Sequence, residues 1–146
     1  MLASIAFMAA TARAGNKPDC LGISLGGGDG PSYELVLSNG VLWYKSGASF
    51  FPLETQTAEA IEPTDEQWKH FRESLDQLDV WTWKASYVDL NVLDGTQWRF
   101  TVAYSNRTLM TEGSNGYPGS TNEQPAEGFN GFLDAVEQLI GGRKFR

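Results

Sequence analysis

His70 is the only histidine among 146 residues and Cys20 the only cysteine, so the side chains that most often do chemistry are nearly absent. A nucleophilic triad needs a serine or cysteine beside a histidine that a third group orients. His70 lies two residues from Trp68 and one from Phe71, which turns it off an apolar helical stripe and toward solvent. A lone cysteine allows neither an internal disulfide nor a cysteine zinc cluster, and no metal or cofactor site follows from the pattern. Carboxylates are plentiful: of 18 acidic residues, Asp89 and Asp94 flank a meander and Glu112 precedes a glycine-bearing loop. Glycoside hydrolysis needs two carboxyls held at a set separation across a cleft, and no pair is marked out. A small hydrolase with carboxylate acid/base chemistry is therefore the third reading of the chain.

Two other groups of residues suit recognition. The loop from Gly113 to Ser120 is longer than a simple connection and combines small hydrogen-bonding residues with one aromatic beside a proline. Tyrosine among Ser, Asn and Gly is a mixture that recognition loops use, which makes Ser114, Asn115, Gly116, Tyr117 and Pro118 the candidate binding residues. The opposing reading has Tyr117 packing back onto the start of the following helix. Trp81, Trp83 and Trp98 are the alternative set, as stacking platforms for a glycan. Gly26-Gly27-Gly28-Asp29-Gly30 lacks the Gly-Lys-Ser/Thr ending of a phosphate cradle and precedes a strand, so it reads as a loop. Asn106-Arg107-Thr108 matches a glycosylation sequon, but a hairpin bend explains its asparagine equally well.

The elements that must position these residues repeat. Trp68, Phe71, Leu75 and Leu78 form one apolar stripe, and Phe129, Phe132, Val136 and Leu139 form another with the same spacing, 61 residues on. Each stripe follows a proline, Pro63 or Pro125, and each proline follows a strand-turn-strand pattern with Ser-Asn at its bend. Asn39-Gly40 is a strong hairpin signal between Tyr33–Ser38 and Val41–Ser46. Leu53–Ile61 reads as an edge strand. Thr64 to Gln67 spells a capping box that opens a helix running to Leu78 or Asp79. Val80-Trp81-Thr82-Trp83 alternates as a strand would. Asp94-Gly95 reads as the turn of a second hairpin between Tyr87–Leu93 and the alternating run Trp98, Phe100, Val102, Tyr104. Ser105-Asn106-Arg107 then turns the chain into Thr108–Glu112. A second helix spans about Ala126 to Ile140 and stops at Gly141. The fold class expected is α+β: an antiparallel sheet with two amphipathic helices on one face, built as two hairpin-helix pseudo-repeats in a single domain, 15–146.

Leu2 to Ala12 are small and apolar, and Ala12-Arg13-Ala14 before Gly15 has the grammar of a signal-peptide cleavage site, although no Lys or Arg precedes the apolar run. Residues 1–14 are thus read as a signal peptide and the location as periplasmic or secreted. If they are instead retained and packed on the fold, the location is cytoplasmic. The net charge of −7 argues against a nucleic-acid partner and suits a protein with a basic surface or a glycan. No integral membrane span is expected.

Asp94-Gly95-Thr96-x-Trp98, Gly113-Ser114-Asn115-x-Tyr117-Pro118 and Phe129-x-x-Phe132 with Leu139 together resemble a small bacterial domain of unknown function. The resemblance covers most of the chain after Pro31 and implies an α+β domain without supplying an activity. A more distant similarity is to periplasmic lysozyme inhibitors, which insert a serine-glycine-tyrosine loop into the enzyme. This chain departs from them in its Gly-Ser-Asn-Gly-Tyr order, its helices and its want of disulfides. The functional expectation is a non-enzymatic binding or inhibitor-like module acting through the Gly113–Ser120 loop.

Overall fold

A computed structural model of the chain describes residues 15–28, 30–48, 56–91, 95–119 and 126–146. Its elements are β1 (Cys20–Gly26), β2 (Ser32–Ser38), β3 (Val41–Gly47), β4 (Glu59–Ile61), helix α1 (Asp65–Gln77), a 3₁₀ turn (Val80–Thr82), β5 (Ser86–Val88), β6 (Gln97–Ala103), β7 (Thr108–Ser114) and helix α2 (Glu127–Leu139). The fold is α+β: the strands form one seven-stranded sheet in the order β4-β3-β2-β1-β6-β7-β5, antiparallel except where β5 meets β7.

Alternation decides which side of the sheet is dry. Leu21, Ile23 and Leu25 of β1, Leu35 of β2, Leu42 of β3, Phe100 and Val102 of β6 and Leu109 of β7 are buried in one hydrophobic cluster. The residues between them point the other way. Helix α2 lays Phe132 against Phe100 with ring centroids 4.5 Å apart, and Phe129 against Trp98 at 4.8 Å. Helix α1 contacts α2 and buries Trp68, Phe71 and Leu75, while its Arg72 lies 4.2 Å over the Tyr104 ring just past β6.

The punctuation agrees with its chemistry. Asn39 and Gly40 both take positive φ, 52° and 78°, as the tight β2-β3 turn requires. The capping box at Thr64 is formed in both directions: Gln67 N–H donates to Thr64 Oγ1 at 3.1 Å and Thr64 N–H to Gln67 Oε1 at 2.8 Å. Gly141 closes α2 with φ 72°, and Arg143 donates to the Ile140 carbonyl at 2.6 Å.

Three expectations change. Val80-Trp81-Thr82-Trp83 is not a strand: Asp79 turns left-handed with φ 52°, and the amides of Thr82 and Trp83 bond to the carbonyls of Asp79 and Val80 in a 3₁₀ turn. Alternation over four residues is too short a signal to separate the two. Tyr87–Leu93 does not form a hairpin with the strand after Gly95, because β5 joins the sheet parallel to β7 and outside it; Asp94 itself lies outside the described residues. The edge strand expected over Leu53–Ile61 is only Glu59–Ile61 within the described part, on the outside of β3. The signal-peptide segment, Pro125 and Ser120 also lie outside the described residues.

Candidate functional site

The stem of the 113–120 segment is built into the sheet. Gly113 and Ser114 end β7, paired with Trp98 and Gln97 of β6 and with Tyr87 and Val88 of β5. Asn115 is buried with φ 59°, and its amide donates to the Thr96 carbonyl at 2.9 Å. The Trp98 indole N–H donates to the Gly116 carbonyl at 2.9 Å. A β-carbon on Gly113 would overlap that indole, so glycine is what lets the ring lie there. Tyr117 is 6% exposed, its ring 5.1 Å from Phe129 at the start of α2, and Pro118 is buried. Of the five candidate residues, Tyr117 and Pro118 therefore face the core. They are staples of the fold and not a protruding anchor.

The tryptophans are not exposed platforms either. Trp98 is 4% exposed, Trp83 meets it edge to face at 6.3 Å, and Trp83 also meets Phe132 at 5.6 Å. Trp81 is half-buried, donates from its indole N–H to Asp76 Oδ1 at 2.8 Å, and lies under the guanidinium groups of Arg72 and Arg107 at 5.3 and 5.4 Å. Beside it the Tyr104 hydroxyl is buried with no hydrogen-bond partner among the described residues, and burial pushes its ionisation well above the ordinary tyrosine range. Sugar stacking asks for coplanar exposed rings, and this set offers none.

What the structure assembles instead lies on the sheet face away from the core. Ser24 of β1 pairs with Glu34 and Arg99, Arg99 with Glu112, Glu34 with Lys45, and Glu112 with Ser86. All belong to the outward set, so one row runs across the sheet as Lys45, Glu34, Ser24, Arg99, Glu112, Ser86. The row on one side of it is Trp43, Val36, Gly22, Thr101, Met110. On the other side lie Gly26, Gln97, Ser114 and Val88, with Ser32 beside Gly26. The outward residues of β1 are thus Gly22, Ser24 and Gly26, which leave a low floor between taller neighbours. A cleft of about 350 Å³ opens there, bounded by Ser24, Gly26, Ser32, Gln97, Arg99 and Ser114 among others.

Ser32 is 1% exposed, and its hydroxyl has no hydrogen-bond partner among the described residues. Leaving such a group unmade costs about 1–3 kcal/mol. Its oxygen fills the space that a Gly26 side chain would need, with the Ser32 Cβ 2.8 Å from where that side chain would begin. Arg99 Nη2 and Glu112 Oε2 are 3.1 Å apart, so the rim carries both charges, already paired. Glu112 is the one carboxylate among the described residues that bound the cleft. His70 is distant in role as well: it sits on the solvent side of α1 between Glu66 at 3.3 Å and Glu73 at 3.7 Å. Asp89 closes its own turn, accepting from the Asn91 amide at 2.9 Å. Among the described residues no three His, Cys, Asp or Glu side chains gather to hold a metal ion.

The sequence signal for this face was present in β1. Leu21, Ile23 and Leu25 alternate with Gly22, Ser24 and Gly26, a half-buried strand whose wet side is small. Ser32, Gln97 and Arg99 carry no signal of their own, because only strand register brings them to that floor. No protein-family model matches the chain. No curated protein sequence matches it either.

Proposed function

We propose that the chain is a non-enzymatic binding module, inhibitor-like in working by contact, and that it takes a protein partner on the sheet face away from the core. The observation that carries the reading is the buried Ser32 hydroxyl, without a hydrogen-bond partner among the described residues, on the wall of a cleft on that face. An apolar row beside the cleft, with Trp43 39% and Met110 69% exposed, supports a protein over a small solute. The 113–120 segment contributes its stem, Gly113 and Ser114, while Asn115, Gly116, Tyr117 and Pro118 hold that stem in place. The contacts of Phe132 with Phe100 and of Arg72 with Tyr104 support both helices lying on one face of the sheet. The hairpin-helix order of β2-β3-α1 and β6-β7-α2 supports the pseudo-repeat as a matter of sequence order. In the sheet the two hairpins flank β1 with β2 and β6 both antiparallel to it, so no rotation normal to the sheet relates them.

The experiment is a differential capture. Tagged wild type and Ser24→Arg, which fills the floor without touching the core, are used as bait in extract of the source cells. The wild type should retain a partner that the variant loses while melting at the same temperature. Equal capture by both would move recognition off this face. Among the described residues no helix is long and apolar enough to cross a membrane. Export to the periplasm or medium remains our reading of residues 1–14, and the intact mass of the protein from its native source decides it: a mature chain should begin at Gly15, and a full-length mass overturns the proposal.

A further inference from the structure

The face, which no described element covers, is complementary to itself, and we infer that its occupant is a second copy of this chain, related by a two-fold axis running along β1. This rests on the reading that the face is a recognition surface. An axis of that kind places each strand at one distance left of β1 over the strand at the same distance right of β1 in the other copy. With β2 and β6 first on either side and β3 and β7 second, the register pairs the residues directly.

In the charged row, Glu34 comes over the second copy's Arg99, and Lys45 over its Glu112. In the apolar row, Trp43 comes over Met110 and Val36 over Thr101, with Gly22 meeting Gly22. In the third row, Ser32 comes over Gln97. Each of these pairings occurs twice, except Gly22 with Gly22, which lies on the axis. In the first two rows every charge meets its opposite and Trp43 and Val36 each meet a residue with an apolar surface, and the glycines and serine of β1 let the two sheets approach. Stacked sheets cross at about 30°, which tilts the axis by roughly 15° from β1. That moves the outer pairs by a few ångströms, within reach of Lys45 and Glu112. Five strands at about 4.8 Å and seven residues at about 3.4 Å give a footprint of roughly 570 Å² per copy. A standard stable interface needs about 800 Å² per partner, so the dimer is reversible and dilution-sensitive.

The test is sedimentation velocity and equilibrium on purified chain from about 1 µM to about 1 mM, with three arms. Wild type should shift from the 16.1 kDa monomer toward twice that mass as concentration rises. Glu34→Arg and Arg99→Glu should each weaken association by about tenfold or more, because each sets like charges opposite each other twice. An equimolar mixture of the two variants should restore a one-to-one dimer, since the two introduced charges then face each other on one side of the axis and the native pair survives on the other. Circular dichroism melts of both variants check that they fold. A wild type monomeric throughout, or a mixture that associates no better than the single variants, overturns the inference. Neither result touches the Ser24→Arg capture, which would still find a different partner on the same face.

Discussion

Tyr117 and the two residues before it join three elements. Its ring lies against Phe129 of α2, the preceding Gly116 carbonyl takes the Trp98 indole N–H from β6, and Asn115 bridges to Val88 of β5. Removing the ring leaves a cavity beside Phe129 that the strained turn at Asn115 cannot close. Tyr117→Ala should therefore cost about 3 kcal/mol, in the range for truncating a buried aromatic. Roughly 10 °C should be lost from the melting temperature, at about 3–4 °C per kcal/mol for a chain of this length. An unchanged melt would return the tyrosine to the surface and to recognition. Ser32 is the converse case: a buried hydroxyl with no hydrogen-bond partner among the described residues.

Between elements, the pair of Glu59 and Arg143 ties edge strand β4 to the stretch after α2. Arg143 Nη2 lies 2.6 Å from Glu59 Oε1, and Nε donates to Oε2 at 3.1 Å. This side-chain hydrogen bonding holds the Glu59 carboxyl below its ordinary ionisation range. The sign follows from linkage: with the folded value depressed, the pair's contribution is complete above the unfolded value near 4.5 and is lost as pH falls through the folded one. Wild type should therefore out-melt Glu59→Gln at neutral pH by a small margin, both groups being exposed. The margin should vanish on acidification below the carboxylate range, and a pH-independent difference would exclude the ion pair as its source. The same scale shows what sequence could and could not foretell. The stripes of both helices, the Thr64 capping box and the Asn39-Gly40 turn were legible because their causes are local. The parallel addition of β5 outside β7 was not, since three residues at an edge carry no mark of their neighbour. The cleft was half legible: β1 declares a small wet side, but Arg99, Gln97 and Ser32 reach it only through register.

At the scale of the whole molecule, the sheet ends in two strands of three residues, β4 and β5, while the five between them have seven. Backbone groups left open at a sheet border are templates for further strands, and a long border invites fibres. Here each border offers few of them, and at β4 the Arg143 guanidinium holds the Glu59 carboxylate. Growth sideways, sheet to sheet without limit, is thereby blocked at both ends. The inferred two-fold contact through the flat of the sheet would consume the surface it uses and so close at two copies. An exposed apolar row of this kind is ordinarily an aggregation hazard, and short borders leave it fewer routes to a fibre.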